Sequence, residues 1–122
     1  MKKILIIDDE KQIRKYLKTF LDKDGYHTIG AADGAAGLVL LKECLCDLVI
    51  TDIYMPNKEG IETIREIKSE YPAIKIIAIS GGGICDMNIL NTATLIGADF
   101  ALEKPIEEDH LLYVVRDLIG PA

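Results

Sequence analysis

Three short, unbroken apolar runs constrain this chain more than any other feature: Ile4-Leu5-Ile6-Ile7, Leu48-Val49-Ile50, and Ile74 to Ile79, where Lys75 is the one charge. A strand with one face in water alternates apolar and polar residues. Solid runs of this length instead predict strands covered on both faces, as in a parallel sheet enclosed by helices. Residues 99–103, around Phe100 and Leu102, form a shorter run, and Tyr26 to Ala31 is less apolar and suits an edge strand.

Between the runs the apolar spacing becomes helical. Ile13, Leu17, Phe20 and Leu21 share one stripe, Leu38, Leu41 and Leu45 a second, and Ile61, Ile64, Ile67 and Tyr71 a third. Leu90, Ala93 and Leu95 give a thin face to a helix near 86–96, and Leu111, Leu112, Val115, Leu118 and Ile119 a broad one to the last. Gly25, Pro72 and Gly97 stand where the first, third and fourth helices should end, Asp86 is a candidate N-cap, and Glu107-Glu108-Asp109 suits the positive end of the last helix dipole. The pattern predicts an α/β fold: (βα)5, a doubly wound five-stranded parallel sheet with right-handed crossovers and helices on both faces. At 122 residues, with no repeat or linker, residues 1–122 are expected to form a single domain.

Charge narrows the partners. The formal net charge is -6, and Lys and Arg do not run together, so direct nucleic acid binding is not expected and an anionic membrane surface would repel the chain. No apolar stretch is long enough for a transmembrane helix, and Asp8-Asp9-Glu10 interrupts the run that follows Met1-Lys2-Lys3 before it could serve as a signal-peptide core. Cys44, Cys46 and Cys85 are an odd number, which fits a reducing compartment and favours ordinary buried thiols over a redox or metal role. A cytoplasmic location is expected.

Open parallel sheets bind ligands outside the carboxyl ends of their strands. In this chain those ends carry Asp8-Asp9, Thr51-Asp52, Ser80-Gly81 and Glu103-Lys104-Pro105. Taken singly, Asp8 or Asp9 reads as a helix cap, Asp52 as a turn residue ahead of Pro56, Ser80 as loop chemistry and Lys104 as a solvated strand end. Their convergence changes the reading. Two carboxylates ~4 Å apart repel by about 4 kcal/mol at an effective dielectric near 20, so gathering three of them calls for a cation. An all-oxygen donor set with room for water and phosphate fits Mg²⁺ better than Zn²⁺. Carboxylates, a divalent cation and a lysine together point to phosphoryl transfer.

The segments Ile4 to Glu10, Asp47 to Pro56, Ile79-Ser80-Gly81, and Gly97-Ala98-Asp99 leading to Lys104-Pro105 resemble the response-regulator receiver family along essentially the whole chain. The resemblance implies a flavodoxin-like strand order 2-1-3-4-5. It implies that Asp52 takes a phosphoryl group from a phosphohistidine on a sensor histidine kinase or phosphotransfer protein. Mg²⁺ (Mn²⁺ or Ca²⁺ could substitute) would be held by Asp9, Asp52 and the backbone carbonyl of Tyr54, with Asp8 reaching it mostly through water. Lys104 would pair with phosphoryl oxygens, Ser80 would donate to one of them, and Lys104-Pro105 would be a cis peptide. Tyr54 and Gly82 match positions that gate the hydrolytic water. The first helix, around Gln12, Arg14, Lys15 and Lys18, would carry partner specificity. The downstream partner, a protein or an output domain, is unknown. No output domain follows within these residues, so either a single-domain receiver or a piece of a longer regulator is expected.

One position departs from the family. Receivers usually carry Tyr or Phe three residues before the lysine, and here Ala101 holds that place, with the aromatic at Phe100 on the opposite face of the strand. The run Gly81-Gly82-Gly83 suggests another moving part. Three rival functions compete with phosphoacceptance. A flavodoxin-like electron carrier would have to place a flavin phosphate against Asp8-Asp9-Glu10. An aspartate-nucleophile phosphatase would need an acid where Tyr54 stands. The third is a receiver-like interaction module that is never phosphorylated.

Overall fold

The computed structural model describes residues 2–53, 60–81, 91, 93–94 and 97–122. Five strands, β1 (Lys3–Ile7), β2 (His27–Ala31), β3 (Leu48–Asp52), β4 (Lys75–Ser80) and β5 (Phe100–Glu103), form one sheet in the order β2-β1-β3-β4-β5. All four pairings are parallel. The helices with described bounds are α1 (Lys11–Lys23), α2 (Gly34–Glu43), α3 (Gly60–Glu70) and α4 (Glu108–Ile119). The helix expected near 86–96 lies mostly outside the described residues, although Asn91, Ala93 and Thr94 are helical.

The solid apolar runs are explained by two cores, one on each side of the sheet. Leu5, Ile7, Val49, Ile76 and Ala78 pack with Leu41, Ile64 and Ile67 from α2 and α3. Ile4, Ile6, Leu48, Ile50, Ile77 and Ile79 pack with Leu17, Phe20, Leu21, Leu111 and Val115 from α1 and α4. Successive residues of β1, β3 and β4 thus enter opposite cores, and polar residues are confined to the strand ends.

One local expectation needs correction. Leu45 is not part of the α2 stripe: the helix ends at Glu43, Cys44 turns extended at φ -150° and ψ 107°, and Leu45 is 65% exposed. Its place in the apolar spacing is accidental, because the chain is already turning toward β3. The rival reading of Asp8 or Asp9 as a helix cap is set aside by the structure, since the N-cap of α1 is Glu10, with no side-chain capping bond. By contrast Asp33 caps α2, accepting from the Ala36 N–H, and Glu107 to Asp109 do open α4. Gly25 and Gly97 have φ of +99° and +134°, the left-handed geometry that favours glycine after a helix.

Candidate functional site

Strand register sets the heights of the polar residues. Ile7 pairs with Thr51, so Asp8 and Asp52, each the next residue, leave the sheet side by side. Asp52 pairs with Ile79, Ser80 pairs with Glu103, and the Lys104 N–H donates to the Ser80 carbonyl at 2.8 Å. Four strands therefore deliver Asp8, Asp52, Ser80 and Lys104 to one edge. The Lys104-Pro105 bond is cis.

Asp8 is 1% exposed and held from three directions. Its N–H donates to the Ala31 carbonyl at 3.1 Å, its Oδ1 accepts from the Glu10 N–H at 2.8 Å, and its carbonyl accepts from Arg14 Nη1 at 2.7 Å. Its second oxygen, Oδ2, lies 3.1 Å from Lys104 Nζ. That contact is an ion pair, and among the described residues the buried Oδ2 has no hydrogen-bond donor. Lys104 Nζ also reaches Asp52 Oδ2 at 3.4 Å and Glu10 Oε1 at 3.6 Å. One ammonium serves three carboxylates.

The electrostatics follow from this crowding. Burial pushes the Asp8 carboxyl above its usual range, and the Asp9 charge adds to the push; the Glu10 N–H and Lys104 oppose it without winning. Burial alone would depress the Lys104 ammonium. The ion pair with Asp8 and the charge of Asp52 outweigh it, so Lys104 titrates above its usual value and stays charged at neutral pH. Asp9 is exposed, and carboxylate oxygens of Asp8, Asp9 and Glu10 lie within 4.8 Å of one another, a spacing that could hold a metal ion.

A family model described as the response regulator receiver domain matches residues 4–116. The chain belongs to the receiver domain family. Among curated relatives it is 33% identical over 119 residues to the transcriptional regulatory protein CpxR of Klebsiella pneumoniae, covering 98% of this chain and 50% of that protein. It is 36% identical over 119 residues to the probable transcriptional regulator ycf27 of Guillardia theta, covering 96% and 45%. The chain thus spans about half the length of these curated relatives. Among solved structures, a receiver domain protein from Clostridium thermocellum superposes with a TM-score of 0.91 at 34% identity, covering 98% of this chain and 95% of that one. The chemotaxis protein CheY4 of Vibrio cholerae superposes at 0.87 and 27% identity, covering 97% and 98%.

In this receiver the departure at Ala101 is visible in the sheet. Ala101 pairs with Ala78, whose side chain enters the α2–α3 core. Phe100 pairs with Ile77 and Leu102 with Ile79, both on the α1–α4 side. Phe100 is 39% exposed and meets His110 of α4 edge-on, with ring centroids 6.1 Å apart. The aromatic therefore stands on the opposite face from Ala101. Tyr54, Gly82 and Gly83, expected to gate water or to move, lie outside the described residues.

Two contributors are not apparent from the sequence pattern. Glu10 adds a carboxylate to the acidic group, and its N–H fixes Asp8. Gly60 opens α3, its N–H donating to the Ile53 carbonyl at 2.8 Å, and a Cβ there would collide with the Asp52 carbonyl oxygen. A clue exists for Glu10, which directly follows Asp8-Asp9. For Gly60 there is none, because close approach of backbone to backbone leaves no periodic trace.

Proposed function

We propose that this receiver takes a phosphoryl group on Asp52 from the phosphohistidine of a sensor histidine kinase or phosphotransfer protein, signals through protein contacts in the cytoplasm, and resets by hydrolysis. The observation that carries this reading is the Asp52 carboxylate, buried at the sheet's carboxyl edge with Oδ2 3.4 Å from the Lys104 ammonium that also holds Asp8 at 3.1 Å.

The chemistry is a displacement at phosphorus. A carboxylate oxygen of Asp52 forms a bond to phosphorus while the bond to the donor imidazole nitrogen breaks and its electron pair stays on that nitrogen; with the other ring nitrogen protonated, a neutral histidine leaves and an acyl phosphate remains. Lys104 is already protonated and already beside Asp52, so it meets charge on the transferred group with little reorganisation. Ser80, at the end of β4, would donate its hydroxyl to a phosphoryl oxygen. Gly60 keeps the backbone behind Asp52 closely packed, which fixes the nucleophile.

The donor set fits a hard divalent cation. Asp8 Oδ2, buried without a hydrogen-bond donor, is an oxygen that a cation would satisfy, and the surrounding ligands are all oxygen. Asp8, Asp9 and Asp52, with the backbone carbonyl of Tyr54, would hold Mg²⁺, for which Mn²⁺ or Ca²⁺ could substitute. When bound, the ion neutralises phosphoryl oxygens. The domain acts on its own phosphoryl group rather than turning over an external substrate. A net charge of -6 without a basic run favours a protein as the downstream partner over nucleic acid.

Intact-mass measurement after acetyl phosphate, with Mg²⁺ or with chelator, tests this. The expected result is one phosphoryl group with Mg²⁺, little with chelator, and none for Asp52→Asn. Equal incorporation in Asp52→Asn would overturn it.

A further inference from the structure

The pole of the sheet opposite Asp52 carries a sulfur–cation contact that phosphoryl transfer does not use. Cys44 closes α2 and is half-exposed, and Lys3 Nζ, from the first residue of β1, lies 3.1 Å from its sulfur. Lys3 is held there by its backbone, its N–H donating to Asp47 Oδ2 at 2.9 Å and its carbonyl accepting from the Asp47 N–H at 2.9 Å. Cys46 is two residues on, 6% exposed, with its sulfur 3.6 Å from the Cys44 carbonyl oxygen. The segment joining α2 to β3 is neither helix nor strand, so it can rearrange without breaking a ladder. An accessible sulfur against a cation, with a second thiol close in the chain, is the arrangement expected of oxidation-sensitive cysteines.

We propose that Cys44 and Cys46 form a peroxide-responsive dithiol, with Lys3 activating Cys44 and Cys46 resolving it. In the first step the Cys44 sulfur attacks hydrogen peroxide, the O–O bond breaks, and sulfenic acid and water form. In the second the Cys46 sulfur attacks the sulfenic sulfur, the S–O bond breaks, and a second water leaves as the disulfide forms. The two thiols together lose two electrons, and one peroxide is reduced to two waters.

Each residue has a distinct part. Lys3 Nζ donates to the Cys44 sulfur at 3.1 Å, and that contact holds Lys3 above its usual pKa. Burial, together with the neighbouring Cys44, pushes the Cys46 thiol up to about 11. Cys46 is buried and Cys44 half-exposed, so Cys44 is the sulfur that meets peroxide, and its sulfenic acid is open to trapping where Cys46 is removed. Disulfide closure would lock the turn between α2 and β3, a redox input chemically separate from the acidic site.

The test uses the full chain with Cys85→Ser, so that only the two thiols of interest react. Stoichiometric hydrogen peroxide followed by denaturing alkylation and mass spectrometry should give a product lighter by two hydrogens, with no alkylated thiol and a peptide linking Cys44 to Cys46. Adding Cys46→Ser should stop the reaction at a sulfenic acid that dimedone captures. Lys3→Met should slow peroxide consumption roughly tenfold, and Lys3→Arg should restore much of the rate. Circular dichroism melting of each variant separates reactivity from folding. The proposal is overturned if Cys44 gains only two or three oxygens without forming the linked peptide, if two chains become linked instead, or if the Lys3→Met rate equals that of the parent.

Discussion

The two ends of the same sheet treat charge in opposite ways. At the carboxyl end, Asp8 and Asp52 are buried beside one ammonium, and Asp8 Oδ2 has no hydrogen-bond donor. At the amino end, polar groups are tied to backbone or to partners of opposite charge. Asp47 bonds to both sides of Lys3, and its carbonyl takes the Lys75 N–H. Lys2 Nζ donates to the Ile119 carbonyl and the Tyr26 hydroxyl to the Gly120 carbonyl at 2.8 Å, while Arg116 pairs with Asp24 at 2.6 Å. The amino end anchors the last helix. The carboxyl end holds carboxylates whose mutual repulsion is only partly offset, which suits a site that works by binding a cation and a phosphoryl group.

The largest effect should come from removing the shared cation. Lys104→Met leaves Asp8 and Asp52 buried without it and should cost about 3 kcal/mol in denaturant unfolding. A cost no greater than that of an exposed mutation would erase the contrast between the two ends.

Neutralising Asp8 should do the reverse. Without metal, Asp8→Asn should stabilise by about 1 kcal/mol, or ~4 °C in Tm, since burial already disfavours the charged form. The sign is set by proton binding. Asp8 has a raised folded pKa, so between the ordinary carboxylate value of about 3.9 and that raised value the folded state holds more protons than the unfolded state. Asp8 therefore makes stability fall as pH rises through this window. The advantage of Asp8→Asn should be full at neutral pH and shrink on acidification, which melting curves at several pH values would show. A gap that widens toward acid would contradict the burial argument.

At the amino end the effects should be smaller. Tyr26→Phe removes one partly buried bond to the Gly120 carbonyl and should cost about 1 kcal/mol by urea unfolding. Asp47→Ala removes an exposed side-chain bond to the Lys3 N–H, leaves the backbone bonds of Asp47 in place, and should cost about 0.5 kcal/mol. If either exceeded the loss for Lys104→Met, the amino end would be the more stressed of the two.

Much of the carboxyl end is legible in the order of residues along the chain. Ile4 to Ile7 and Leu48 to Ile50 announce buried parallel strands because both faces meet helices, and the residues ending them have to converge at the carboxyl edge. Asp8, Asp52 and Lys104 do so within ion-pair distance. Which carboxylate is buried is not legible, since Asp8 and Asp9 are adjacent and identical; strand direction and the Glu10 N–H distinguish them. Leu45 misleads because helical spacing persists by chance beyond the true end of α2. The cation at Cys44 comes from a segment distant in sequence, and the close approach of Gly60 to Asp52, though local, leaves no pattern; both show only in three dimensions.

The most direct test of the central claim asks which carboxylate receives the phosphoryl group. Borohydride reduction of the chain after acetyl phosphate and Mg²⁺ converts an acyl phosphate to an alcohol, and peptide mapping locates it. Asp52 is expected to be recovered as homoserine while Asp8 and Asp9 are unchanged. Reduction at Asp8, Asp9 or Glu10 with Asp52 intact would contradict it.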